Sequence, residues 1–394
     1  VPRIVLGVAG GVAAYKSISL ARLLIESGHE IIVVPTPSAL NFVGKATWEA
    51  LTGNPVYANV FEATDQVAHV AIARWADLIV VAPTTADLMF RAAAGAANDM
   101  LTAVLLTTNA PIIYFPAMHT EMWLNPATTA NVTTLRDRGA LVIDPATGPL
   151  ARGDQGLGRL PEPEQISALV SSFLAQPNMV QDFAGKRALV TLGGTSESID
   201  PVRVITNRST GEMGAAICRA LYLRGAEVTA VVGSHSAVLP HDLTIRSVTS
   251  ASELATEALS LSPNQDLIIM AAAVSDFTLS PAAAKLSREA SRTLELEPTE
   301  DILAKIVTLK KPRQFIVGFA AQTEDLLSAA REKLERKKCD LIVANLVGND
   351  RGFGPIRTEI AVVSQHGVVS SGPVSKDQAA HLILDEIAKN SAPS

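Results

Sequence analysis

Twice along this chain an apolar strand runs into a pair of glycines and then, through a helix that ends in glycine, into a second strand. The first pass is a strand at 4–8, the pair Gly10 and Gly11, a helix to Gly28 and a strand at 30–34. The second is a strand at 187–191, the pair Gly193 and Gly194, a helix from Gly211 to Arg224 that stops at Gly225, and a strand at 227–232. Paired glycines permit positive φ and close backbone approach, so free N–H groups can face an anion: a phosphate site in outline. The chain therefore reads as one architectural unit used twice, and the insertion at 196–210 is what makes the second copy different.

Further apolar runs of strand length, at 77–82, 112–115 and 141–143, alternate with helical patterns through the first half. Runs at 266–271, 315–319 and 340–344 do the same in the second. Near-continuous apolar strands separated by helices predict α/β architecture: two three-layer Rossmann-like domains, each with a parallel sheet covered on both faces. Ligands bind such sheets outside the carboxyl ends of the strands, which directs attention to the loops at 35–38, 83–87 and 116–119. The glycine-rich stretch 147–163 has too little apolar content for a core element and reads as a mobile flap. A helix near 164–174 and a linker at 176–185 follow, so the domains are expected at 1–181 and 182–394. Helical patterns at 251–260 and 299–309 open on Ser or Thr with an acid in the first turn, one at 323–337 follows, and Ser375 is placed to cap a closing helix at 376–387.

Composition excludes several classes. At 48% hydrophobic and 18% charged the 394 residues form packed domains rather than a disordered chain. A net charge of −6, with no basic run longer than 336–338, argues against nucleic acid. The apolar run at 4–14 is too short to span a bilayer and lacks a cleavage pattern, so no membrane and a cytoplasmic location are expected. Cys218 and Cys339 stand far apart with no partner at metal spacing, which points to buried thiols.

The glycine pair Gly10-Gly11, a Thr36/Ser38 loop after the second strand and Pro83-Thr84-Thr85 after the third would together hold one phosphate and a polar chain. No Gly-x-Gly-x-x-Gly appears and no acid closes the strand at 30–34, which tilts the reading from a dinucleotide toward a mononucleotide such as FMN. Spacing alone also fits ordinary tight turns. The motifs Gly7-Val-Ala-Gly-Gly-Val-Ala-Ala-Tyr-Lys16, Ala82-Pro-Thr-Thr-Ala-Asp-Leu88, Gly95-Ala-Ala-Asn-Asp99 and Pro116-Ala-Met-His-Thr-Glu-Met-Trp123 resemble the homo-oligomeric flavin-containing cysteine decarboxylases. With the second half included, the chain resembles the bacterial bifunctional phosphopantothenoylcysteine decarboxylase / phosphopantothenate-cysteine ligases of coenzyme A synthesis over nearly its whole length. That resemblance implies a flavodoxin-like first domain in which FMN oxidises the cysteinyl moiety to a thioaldehyde that loses carbon dioxide. It makes His69 the catalytic histidine and assigns Asn98, Met118 and Met122 to the substrate. Two positions depart from the pattern. His119 replaces the asparagine that meets the substrate carboxylate, and Arg152 replaces the cysteine that protonates the enethiolate. A guanidinium stays protonated and cannot readily stand in for a thiol acid.

In the insertion, Asp200-Pro-Val-Arg-Val-Ile-Thr-Asn-Arg-Ser-Thr-Gly-Glu-Met-Gly214 resembles the ligase signature. The resemblance makes Arg203 and Asn207 the residues that stabilise an acyl-cytidylate formed when the phosphopantothenate carboxylate attacks the α-phosphate of CTP. A guanidinium and an amide aimed at that phosphorus would lower the barrier. The same residues also allow a structural role, Arg203 pairing with Asp200 and Asn207 capping the following helix. Ala271-Ala-Ala-Val-Ser-Asp-Phe277 resembles the nucleotide loop, with Ala273 at the nucleotide and Asp276 at the ribose or the Mg²⁺ that a triphosphate requires. Lys285 and Arg288 answer to the triphosphate cations, Phe319 to the residue beside cytosine, and Gly193, Gly194, Ser209 and Gly211 to the substrate-holding turn. Family resemblance further implies flavin-domain trimers, ligase-domain dimers and hence a large homo-oligomer acting on small molecules. Two other readings stay open at this point: an FMN-binding regulatory protein with an inactive decarboxylase half, and an NAD(P)-dependent dehydrogenase.

Overall fold

The computed structural model describes residues 1–62, 67–150, 153–287, 293–322, 326–348, 354 and 356–391. The chain divides into two compact units, Val1–Val170 and Ser171–Ser394.

In the first unit, β1 (Arg3–Val8), β2 (Glu30–Pro35), β3 (Leu78–Thr84), β4 (Ile112–Pro116) and β5 (Leu141–Val142) form one parallel sheet in the order β2-β1-β3-β4-β5. That is the flavodoxin-like order, with its topological switch point between β1 and β3. Both faces of β1 and β3 are sealed, Ile4 to Leu6 and Leu78 to Ala82 having no exposure, which is why these strands read as unbroken apolar runs. Crossover helices at Lys16–Glu26, Ala68–Trp75, Ala86–Ala93, Met100–Thr107 and Pro126–Asp137 connect or flank the strands. The flap contains regular structure that composition did not reveal. Its ends pair as the antiparallel strands β6 (Ala146–Pro149) and β7 (Gln155–Arg159).

The second unit repeats the scheme and enlarges it. Its strands are β8 (Arg187–Leu192), the insertion hairpin β9 (Ser196–Ser198) and β10 (Val204–Thr206), then β11 (Glu227–Val232), β12 (Thr244–Ser247) and β13 (Leu267–Met270). After these come the two-residue strands β14 (Phe277–Thr278) and β15 (Glu297–Pro298), then β16 (Phe315–Gln322), β17 (Leu341–Leu346), β18 (Ile360–Ser364) and β19 (Gly367–Ser370). Eight of them form a sheet in the order β12-β11-β8-β13-β16-β17-β18-β19. Its heart, β11-β8-β13, matches β2-β1-β3 of the first unit, all parallel. Ala188, Val190 and Leu192 belong to a core cluster on one face and Leu189 to a cluster on the other, so alternate residues of one strand feed two cores.

Helix ends follow local chemistry with two exceptions. Ser250 caps Ala251–Leu261, and Ser375 forms a reciprocal pair with Gln378 at the start of Lys376–Ser391. The helix expected from Thr299 starts later, at Ile302, and Asp301 is its cap. Thr299 instead donates its hydroxyl to the Ser275 carbonyl at 2.6 Å. Asn207 does not cap Glu212–Leu223; that end is Gly211, in a left-handed conformation.

Candidate active sites

In the first unit the glycine turn lies at the switch point. The amide of Ala9, next to Gly10, donates to the Pro83 carbonyl at 3.1 Å, joining the ends of β1 and β3. A Cβ on Gly10 would lie 2.3 Å from Ser38 Oγ, so glycine there is what lets the β2 loop close over the turn. Thr36 Oγ1 and Ser38 Oγ are 3.0 Å apart, and the Cβ position of Gly11 comes within 3.6 Å of Thr85. Gly10, Gly11, Thr36, Ser38, Pro83 and Thr85 thus surround one point at the carboxyl ends of three strands. Thr84 differs. It is fully buried, its hydroxyl donates to Val81 and its carbonyl accepts from the Ala117 amide at 2.9 Å, so its side chain does not join this rim. Thr85 accepts from the Leu88 amide at 3.3 Å, capping its helix while keeping its hydroxyl proton.

His69 stands half-buried on the first turn of Ala68–Trp75. That helix leads into β3, which in a parallel crossover puts its N-terminus beside the same strand ends. Arg91 fixes Asn98: it donates to Asn98 Oδ1 at 3.2 Å while pairing with Asp99 at 2.6 Å and Asp87 at 2.9 Å. Asp99 in turn forms a capping box with Thr102. Met118 and His119 lie under β7. The Met118 amide donates to the Gly158 carbonyl at 2.9 Å. A Cβ on Gly158 would sit 2.0 Å from the Met118 carbonyl oxygen, and one on Gly156 2.3 Å from Thr120 Oγ1. His119 Nδ1 comes 3.9 Å from Asp154 Oδ2 of the flap, and Met122 is exposed beyond it. Arg152 lies outside the described residues.

The second site lies at the matching switch point, between β8 and β13. The Ala273 amide donates to the Gly193 carbonyl at 2.8 Å, and the Thr195 amide returns a bond to the Ala273 carbonyl at 3.2 Å. Gly193 has φ +83°, and a Cβ there would meet the Ser234 carbonyl at 2.7 Å. The Gly194 amide is not free for an anion: it donates to Ser234 at 2.9 Å. This glycine pair serves close backbone packing first. Asn207 donates both amide hydrogens, to the carbonyls of Ala273 at 3.2 Å and Val274 at 3.0 Å. The insertion is thereby tied to the nucleotide-type loop, and the amide aims at that loop rather than outward. Ser209 Oγ lies 3.4 Å from the Gly211 amide.

Arg203 is shared as well. Its Nη2 donates to the Leu286 carbonyl at 2.9 Å and its Nη1 lies 3.5 Å from Asp200. Asp276 is exposed on a loop held from both sides by Thr195 and Thr299. Phe319 is half-buried within β16, and Lys285 is exposed on 281–287. Arg288 falls outside the described residues.

Sequence reasoning did not single out Lys333 and Lys337. Lys333 Nζ donates to the Phe319 carbonyl at 2.6 Å. Burial pushes its ammonium below the usual lysine range and the Arg336 charge adds to this, while the Asp276 carboxylate works the other way. Lys337 also senses Asp276 and pairs with Asp301. Their four-residue spacing on a helix was the available signal, and it fits a solvated face equally well. Among the described residues no three His, Cys, Asp or Glu side chains converge on a metal position, and no helix is long and apolar enough to cross a membrane.

Comparison with known proteins bears on both sites at once. Residues 1–175 match the family described as Flavoprotein, and residues 183–391 match the DNA/pantothenate metabolism flavoprotein C-terminal domain. A coenzyme A biosynthesis bifunctional protein CoaBC from Mycolicibacterium smegmatis is 47% identical over 98% of this chain and 97% of its own. The chain belongs to the CoaBC family. Its CoaBC relative from Mycobacterium tuberculosis is 49% identical over 89% of this chain and 87% of its own, and the one from Haemophilus influenzae 38% identical over 98% and 96%. The order of the two CoaBC parts along the chain is the order of the two sheets described above.

Proposed function

We propose that the chain is a bifunctional enzyme of coenzyme A biosynthesis, a CTP-dependent phosphopantothenate-cysteine ligase and a phosphopantothenoylcysteine decarboxylase. The decarboxylase domain is 1–181 and the ligase domain 182–394. The observation that carries the reading is the knot at the second switch point, where Gly193, Thr195, Asn207 and Ala273 hold one another.

For ligation, the 4'-phosphopantothenate carboxylate attacks the α-phosphate of CTP and expels pyrophosphate, and the amine of cysteine then displaces CMP from the acyl-cytidylate. Arg203 retains guanidinium N–H groups beyond those given to Leu286 and Asp200, and these meet the charge that gathers on phosphorus. Asn207 contributes by fixing the Ala273-Val274 edge against which the nucleotide lies. Lys285, Lys333 and Lys337 supply positive charge for the triphosphate, Arg288 joins them, and Phe319 packs beside the base. Ser209 and Gly211 hold the phosphopantothenate end. Asp276 would be the protein contact for a Mg²⁺ ion brought with the nucleotide, which would supply positive charge to the triphosphate while keeping most of its waters.

For decarboxylation, the rim of Gly10, Gly11, Thr36, Ser38, Pro83 and Thr85 fits FMN, because the close approach of Ser38 to Gly10 brings the Thr36 and Ser38 hydroxyls onto the glycine turn. When bound, FMN supplies the oxidation and later re-reduction of the cysteinyl carbon that lets the carboxylate depart. His69 moves the proton, Asn98 and His119 hold the carboxylate, and Met118 and Met122 flank the chain of the substrate. Arg152 holds charge rather than a transferable proton, so reprotonation falls to His119 or to water. Cytoplasmic, homo-oligomeric operation, with trimers through the first domain and dimers through the second, completes the proposal.

The test supplies the full chain with 4'-phosphopantothenate, cysteine, Mg²⁺ and CTP. CMP and pyrophosphate in equal amounts are expected, and their absence overturns the ligase reading. Mass analysis of the acid-released chromophore is expected to give FMN, and a nicotinamide-oxidising activity in its place would favour a dehydrogenase.

A further inference from the structure

Asp200 is the most completely engaged carboxylate of the insertion, and none of the roles above uses it. Its side chain is fully shielded from solvent although it stands in a hairpin loop. Oδ1 accepts from the amides of Val202 at 2.8 Å and Arg203 at 2.9 Å, closing the turn that presents Arg203. Oδ2 accepts from the amide of Leu286 at 3.1 Å and faces Arg203 Nη1 at 3.5 Å. Arg203 completes the circuit by donating to the carbonyl of that same Leu286. One further bond, from the Ala282 amide to the Ile199 carbonyl at 2.9 Å, lies alongside. The segment 281–287 has no helix or strand of its own and is largely exposed. Both polar groups of the Leu286 backbone end on the Asp200–Arg203 pair.

We infer that Asp200 is a positioning residue that fastens the Lys285 segment to the Arg203 turn, so that one buried carboxylate sets both cations that act on the triphosphate. Its role in turnover rests on the ligase reading, whereas the tether does not. Burial alone would raise this carboxyl, but the Val202, Leu286 and Arg203 amides and the Arg203 charge outweigh it and keep Asp200 below the ordinary carboxylate range. The carboxylate is therefore ionised at neutral pH. An asparagine there keeps one acceptor for the turn but sets an NH₂ group against the Leu286 N–H, where neither can accept.

Asp200→Asn in the full chain tests this with two readouts. Hydrogen exchange at Leu286 and tryptic cleavage after Lys285 are each expected to rise by about tenfold, with exchange in β8 unchanged. The KM for CTP is expected to rise by about tenfold with a loss in kcat. Exchange and cleavage equal to wild type overturn the tether, and an unchanged KM beside faster exchange overturns its role in turnover. Should the variant not fold, wild type alone decides. A Leu286 amide that exchanges as fast as its neighbours Lys285 and Ser287 overturns the tether, and one that lags behind both supports it. If wild type releases no pyrophosphate, the ligase reading fails while the exchange result still stands.

Discussion

Asn207 has spent its two amide hydrogens on carbonyl oxygens, and this changes what its replacement should do. A residue that only donated to a phosphorus-bound oxygen would leave the Ala273 and Val274 carbonyls untouched when replaced. Here aspartate brings a carboxylate against two carbonyls that now lack donors, whereas alanine leaves them to water. Asn207→Ala is expected to lower pyrophosphate release by about a hundredfold, the scale of a loss caused by a displaced substrate-positioning edge. Asn207→Asp should be worse still. Steady-state assays with hydrogen exchange decide it, and a loss of rate in Asn207→Ala with exchange at 273–276 unchanged would return Asn207 to direct contact with the reacting phosphorus. The motif at 200–214 gave the identity of this residue but not its partners, because Ala273 and Val274 lie more than 60 positions away and reach it only through the pairing of β8 with β13. The two ammonium groups near Asp276 escaped notice for the same reason: a charge on a helix face acquires meaning from the strand end it leans on.

Parallel strands were legible as elements because burial on both faces leaves an unbroken apolar run, as in Leu78 to Ala82. The edge strands of the second sheet were not. β12 is exposed throughout and β19 at both ends, so neither carries a burial signal. The β6–β7 hairpin was hidden because its glycines answer a tertiary demand. Gly156 and Gly158 stand two apart and meet the 118–120 segment together. Gly158 also has φ +144°, so Gly158→Ala combines backbone strain with a clash against the Met118 carbonyl. This substitution is expected to cut carbon dioxide release by at least about tenfold while pyrophosphate release is kept. Loss of both activities would show that the hairpin supports the fold rather than the first site. The closing helix makes a different prediction. His381 is buried there with Nε2 3.0 Å from the Ser172 carbonyl and Nδ1 without a partner. Burial lowers its pKa and the nearby Arg224 charge adds to that, against the Ser172 carbonyl, Asp377 and Asp385. As pH falls, the unfolded imidazole, near 6.5, takes up its proton before the folded one. This contribution to stability is complete above about pH 6.5 and declines below it. The midpoint of thermal unfolding is expected to fall between pH 7.5 and 5.5, and to fall less steeply in His381→Gln. Parallel slopes would remove the imidazole from the account.

Across the whole chain one topology is used for two demands that differ in charge. Each sheet presents a glycine turn at the switch point beside its first-numbered strand, β1 or β8. The first rim offers hydroxyls and backbone for one phosphate; the second has Lys333 and Lys337 within electrostatic reach of Asp276 and, in the proposed reaction, three phosphates to hold. Local cations are needed because the molecule as a whole carries −6 and supplies no favourable field for a polyanion. Among the described residues no side chains build a cation cage at Asp276, so in the proposed reaction the ion that accompanies the nucleotide would be held chiefly by the nucleotide's own oxygens and by water. It should then be lost readily to a chelator, and only one of the two reactions should notice. Treatment of the intact chain with EDTA is expected to abolish CMP and pyrophosphate release, and added Mg²⁺ to restore it. Carbon dioxide release from synthetic phosphopantothenoylcysteine should continue at its untreated rate, because the roles proposed for His69, Asn98 and His119 call for no divalent ion. A decarboxylation that stopped with the ligation would mean that the two sites share a requirement, and the division of labour between the sheets would have to be redrawn.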